Sequence, residues 1–75
     1  MPPSAGQLID SAGLKGFAIG SAAVSSKHAN FLVCKERTST SSQDMRELIS
    51  FVKDKIERET GYLLEQEVMY IAYKE

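Results

Sequence analysis

Ser41-Ser42-Gln43-Asp44-Met45-Arg46-Glu47-Leu48-Ile49-Ser50-Phe51-Val52-Lys53-Asp54-Lys55-Ile56-Glu57-Arg58-Glu59-Thr60-Gly61 is the stretch that decides the fold. Met45, Leu48, Ile49, Val52 and Ile56 recur at steps of three and four, the period of one face of an α-helix. Phe51 widens that stripe. Ser41, with Asp44 three residues on, reads as a box-like cap at the helix start. Lys53, Lys55 and Arg58 lie toward the end where the helix dipole favours positive charge. Gly61 supplies the stop.

A helix with one long apolar face needs a layer to lie on, and the flanking segments read as strands. After the helix, Val68, Tyr70 and Ala72 alternate with Met69, Ile71 and Tyr73, which predicts a last strand over 68–73. Before it, Lys35 to Ser42 is a polar loop rich in Ser and Thr. Ala29 to Cys34 is the clearest strand of the first half. Its run Phe31-Leu32-Val33-Cys34 is apolar on both faces, which predicts a central strand. Ser25-Ser26-Lys27 reads as a turn, with Ala22-Ala23-Val24 extended before it. Phe17-Ala18-Ile19 alternates like a half-buried strand, and Gly20-Ser21 marks a bend, a bulge or a place of close backbone approach.

At the amino end, Ser4-Ala5-Gly6-Gln7 reads as a capping box for a short helix with Leu8, Ile9 and Ala12 on one face. Gly13 suits its left-handed stop, with Leu14 folding back in a Schellman motif. The expected fold is α+β in the order α-β-β-α-β: a small, roughly three-stranded sheet with the long helix across one face. Its core is expected from Leu8, Ile9, Phe17, Ile19, Val24, Phe31, Val33, Leu48, Ile49, Val52, Ile56 and alternate residues of the last strand. The short helix covers a sheet edge or lies beside the long one.

Seventy-five residues make one small domain, near the lower limit for folding unaided. An apolar fraction of 43% with 25% charged residues argues against disorder. A net charge of -1 gives no general attraction to nucleic acid or to an anionic membrane. No apolar run is long enough to span a bilayer, and the amino end lacks the features of a signal peptide. One Cys and one His exclude a cysteine-rich zinc site and an internal disulfide. A soluble, cytoplasmic domain is expected.

Leu64-Glu65-Gln66-Glu67-Val68 joins the long helix to the last strand. On an extended backbone Glu65 and Glu67 face the same way. A carboxylate at the mouth of a strand is held by the sheet and reaches a cleft, so either is a candidate acid, base or charge stabiliser; by pattern alone, two solvated glutamates at a junction are the more ordinary reading. Ser4-Ala5-Gly6 at a helix start suits a phosphate, or only its own cap. Lys15-Gly16 and Gly20-Ser21 suit a nucleotide groove, or ordinary turns. His28 beside a strand suits a base or a sugar, or nothing in particular. Cys34 in an apolar run reads as an inert buried thiol. The residues alone stop at a small α+β domain.

The phrase Ser4-Ala5-Gly6-Gln7-Leu8-Ile9-Asp10-Ser11-Ala12-Gly13-Leu14-Lys15-Gly16 resembles the opening of the C-terminal domain of the UDP-N-acetylenolpyruvoylglucosamine reductase (MurB) family. The resemblance continues through Ile19-Gly20-Ser21-Ala22-Ala23-Val24-Ser25, Lys27-His28-Ala29 and Phe31-Leu32-Val33. The helix from Asp44 to Gly61 and the segment Leu64 to Val68 follow in the family's order and spacing. The resemblance implies an oxidoreductase of peptidoglycan synthesis that uses FAD and NADPH to reduce the enolpyruvyl ether to UDP-N-acetylmuramate. In such enzymes hydride passes from flavin to substrate C3 and a serine protonates C2, while an Arg and a Glu stabilise the enolate-like intermediate. That Glu falls on Glu67. His28 stands where the family places a Gln or His toward the uridine part of the substrate.

Several residues depart from the family pattern. Gln66 replaces the usual Pro before the Glu, Met69 the usual Arg two residues after it, Cys34 a common Asn and Asn30 a frequent Gly. Met69 in particular removes a positive charge beside the carboxylate. The family's Gly-Ser pair and its Phe-Lys/Arg-Asn-Pro run precede this domain, and this chain opens on Met1-Pro2-Pro3. The resemblance therefore implies a single C-terminal-like domain over 1–75, with the FAD-binding domain, the proton-donating Ser and the Arg lying outside it. Such a domain is expected to bind no cofactor and to be inactive alone. Its expected partners are the UDP-sugar substrate and the FAD-binding domain, with no nucleic acid and no membrane, and with dimerisation through the exposed face left open. The rival is a non-catalytic interaction or regulatory module that keeps the fold.

Overall fold

A computed structural model describes residues 4–65 and 70–72. The elements run α1 (Ala5–Ser11), β1 (Ala18–Ile19), β2 (Ala22–Val24), β3 (Phe31–Cys34), α2 (Ser41–Thr60) and β4 (Tyr70–Ala72). The α+β class and the long helix across the sheet are as the sequence implies. The sheet has four strands in the order β1-β2-β3-β4, because Gly20-Ser21 is a reversal and not a bulge within one strand. β1, β2 and β3 form an antiparallel meander, and β4 adds parallel to β3. β3 is central, as its two-sided apolar run predicts. A parallel neighbour requires a crossover; α2 is that crossover, lying over β1, β2 and β3 with α1 beside it.

The caps of α1 follow the sequence closely. Ser4 Oγ accepts from the Gln7 N–H at 3.2 Å, and the Ser4 N–H donates to Gln7 Oε1 at 2.9 Å. At the other end the Gly13 N–H reaches the Asp10 carbonyl and the Leu14 N–H reaches the Ile9 carbonyl, the paired bonds of a Schellman motif. Leu14 is buried as its apolar partner. α2 ends on Gly61 at φ 80°, whose N–H donates to the Glu57 carbonyl.

The start of α2 is different from the expectation. Thr40 is the N-cap and makes no side-chain cap bond, and Ser41 and Asp44 form no box. Ser41 Oγ instead accepts from the Thr38 N–H at 2.6 Å and donates to the Glu36 carbonyl at 3.1 Å, which ties up the incoming loop. Asp44 reaches across to the β1–β2 turn, where its Oδ2 accepts from both the N–H and the hydroxyl of Ser21 at 3.0 Å. The Thr40 hydroxyl donates to the same oxygen at 3.3 Å. The carboxylate thereby accepts two charge-assisted bonds from Ser21, where a capping box would give it one.

This bridge shapes the turn itself. Gly20 occupies the first position of a two-residue hairpin loop at φ 56°, the glycine pattern of a type II′ turn. A Cβ there would run into the Asp44 carboxylate. The sequence left bend, bulge and close approach open at Gly20, and the structure has the bend and the close approach together.

The Ser21 N–H, then its hydroxyl, hold the Asp44 carboxyl below the ordinary carboxylate value, with Thr40 adding to this and partial burial opposing it. A carboxylate depressed in the folded state stabilises the fold at pH above its unfolded value of about 3.9, and that stability is lost as pH falls through the folded value. The urea midpoint of the wild type is therefore expected to drop more steeply than that of Asp44→Asn below about pH 4. Parallel pH profiles of the two proteins would contradict the bridge.

The core lies between α1, α2 and one sheet face. Leu8, Ile9, Leu14, Ala22, Val24, Leu32, Cys34, Met45, Leu48, Val52, Ile56 and Leu64 form one buried cluster. Phe17, Ile19, Ile49 and Phe51 pack on its margin, with the Phe17 and Phe51 rings stacked at 4.7 Å. Val33 is buried as expected, and the expected assignment of Phe31 to the core is corrected. Leu32 and Cys34 join the cluster under the helices, Val33 is buried outside it, and Phe31 remains 37% exposed. A run apolar on both faces carries no parity signal, so the sequence could not say which alternation faces the helix.

Candidate functional site

Of the two residues that the resemblance assigns to a site, the described residues include His28, in the loop from β2 to β3; Glu65, the other junction carboxylate, is described and exposed. β3 begins at Phe31 and not at Ala29, because Ser25 closes the loop. The Ser25 N–H donates to the Phe31 carbonyl at 2.9 Å, and the Phe31 N–H to the His28 carbonyl at 2.8 Å. Ser25 Oγ accepts from the backbone N–H of Lys27 at 3.1 Å and of His28 at 3.2 Å. This is the hydroxyl form of the side-chain turn that serine favours. Ala29 is buried beneath the loop, while Lys27 and His28 stand in solvent. The imidazole lies 5.4 Å from the Phe31 ring, tilted by 45°. The sequence marks Ser25-Ser26-Lys27 as a turn, and the structure shows that the Ser25 hydroxyl makes it.

Glu67 lies outside the described residues, as do Gln66 and Met69. The sheet nevertheless defines the surroundings of His28. β3 and β4 are parallel, with Phe31 opposite Tyr70, Leu32 opposite Ile71 and Val33 opposite Ala72. Both strands therefore start at the same end of the sheet, where the His28 loop enters β3. The Gly20-Ser21 turn, Cys34 and Asp44 lie at the opposite end.

The other residues considered from sequence are accounted for by structure. The α1 start is closed by its own capping box. Lys15 pairs with Asp10 at 3.7 Å in an exposed turn. Cys34 is buried, and its thiol contacts the Glu36 carbonyl at 3.4 Å. No group of His, Cys, Asp and Glu that could hold a metal occurs among the described residues. Two open clefts border α2. One, of about 560 Å³, lies between Arg37, Thr38, Ser41, Met45 and Ile71; the other, of about 550 Å³, lies between Arg46, Ile49, Lys53, Leu63 and Leu64. His28 lines neither.

Residues 1–71 match the family model described as UDP-N-acetylenolpyruvoylglucosamine reductase, C-terminal domain. The chain belongs to this family. It is 51% identical over 75 residues to the UDP-N-acetylenolpyruvoylglucosamine reductase of Chlamydia abortus, covering 97% of this chain and 24% of that protein. The reductases of Syntrophotalea carbinolica and Borreliella burgdorferi are 46% and 44% identical, covering 93% and 92% of this chain and 23% and 22% of theirs. The chain thus spans about a quarter of the length of the reductases it matches. The residues that build the described fold, from the Ser4 cap to Gly61, lie within the matched C-terminal domain. No helix among the described residues is long and apolar enough to cross a membrane.

Proposed function

We propose that this domain forms the substrate-binding part of a UDP-N-acetylenolpyruvoylglucosamine reductase, with His28 toward the uridine end of the substrate and Glu67 at the reacting enolpyruvyl group. The parallel register of β3 and β4 carries this reading. It sets the start of β4 beside the His28 loop, and Glu67 precedes Tyr70 by three residues in the sequence. A carboxyl group there would meet the charge that develops on the substrate carboxylate, either by relaying a proton or by shaping the local field. His28, exposed and ring-packed on Phe31, offers a hydrogen-bonding edge to a base or sugar.

The resemblance implies FAD and NADPH for such a reductase, and the described residues do not fit a flavin dinucleotide. Neither helix start offers a pyrophosphate cradle: α1 closes on Ser4 and Gln7, and α2 carries the Asp44 carboxylate in its first turn. Residues outside the described ones would hold the cofactor, and this domain's part is on the substrate side.

The test is Glu67→Gln in a reductase that carries this domain. The half-reaction with the enolpyruvyl substrate is expected to slow by about 10²-fold or more, the scale of a lost acid–base group. The half-reaction with NADPH is expected to keep its rate. Equal losses in the two would overturn the assignment.

A further inference from the structure

We draw no further inference here: the strongest candidate, the groove along α2 made by the two clefts that share Arg46 and Ile49 and open on the exposed side chains of Leu63 and Ile71, carries nothing, because nothing in the structure shows what covers it.

Discussion

Leu48→Ala is expected to bring the domain close to unfolding. Leu48 is fully buried at the middle of the α2 stripe, among the residues that join α2 to the sheet. Truncating a buried leucine costs about 2–5 kcal/mol, through lost transfer energy and the cavity left behind. A domain of this size holds roughly 4–11 kcal/mol in total, so this single truncation removes a large fraction. Urea denaturation followed by far-UV circular dichroism measures it. The midpoint should fall steeply, and by more than for Ile49→Ala, whose side chain is only half-buried at the margin. Equal effects of the two would mean that the buried seam is misassigned.

Gly20→Ala is expected to cost about 2–4 kcal/mol, a large value for adding a single methyl group to a surface turn. Two independent penalties coincide. An alanine at φ 56° occupies the left-handed region at a cost of about 1 kcal/mol. Its Cβ would also lie 2.6 Å from Asp44 Cγ and 2.9 Å from Oδ1. The carboxylate can move aside only by giving up its bonds to the Ser21 N–H and hydroxyl. The double variant Gly20→Ala with Asp44→Ala is the control. It should cost less than the sum of the single changes, because the clash and the bridge share one carboxylate. Strict additivity would show that Asp44 plays no part in the turn.

Local signals in the sequence translated directly into structure wherever neighbouring residues decide the outcome. The Ser4 and Gln7 cap, the Gly13 and Leu14 stop, the α2 stripe and its Gly61 end each depend on a few adjacent positions. What depends on partners far along the chain was not legible. Asp44 looked like a cap residue because its spacing from Ser41 matches one, yet its carboxylate is claimed by Ser21, on another element. Phe31 looked like core because both faces of its strand are apolar, and only the register with β2 decides which face meets α2. At the candidate site, His28 was visible as a residue type beside a strand. The buried hydroxyl that shapes its loop was not, since serine in a turn is common and its burial is a tertiary fact. Nor could spacing choose between Glu65 and Glu67; the family resemblance singles out Glu67.

The parallel pairing of β4 on β3 also bears on the order in which the chain assembles. β1, β2 and β3 are joined by short reversals, so their contacts close small loops. Phe31 and Tyr70 are separated by about forty residues, and bringing them together carries a greater loop-closure entropy. The meander and α2 can dock first, fastened by Asp44 at the Gly20-Ser21 turn, and leave β3 with one edge still open. β4 is then expected to close that edge last. On that order the strand nearest in sequence to Glu67 would join a surface already made, and the His28 end of the sheet would be completed in the final step of folding.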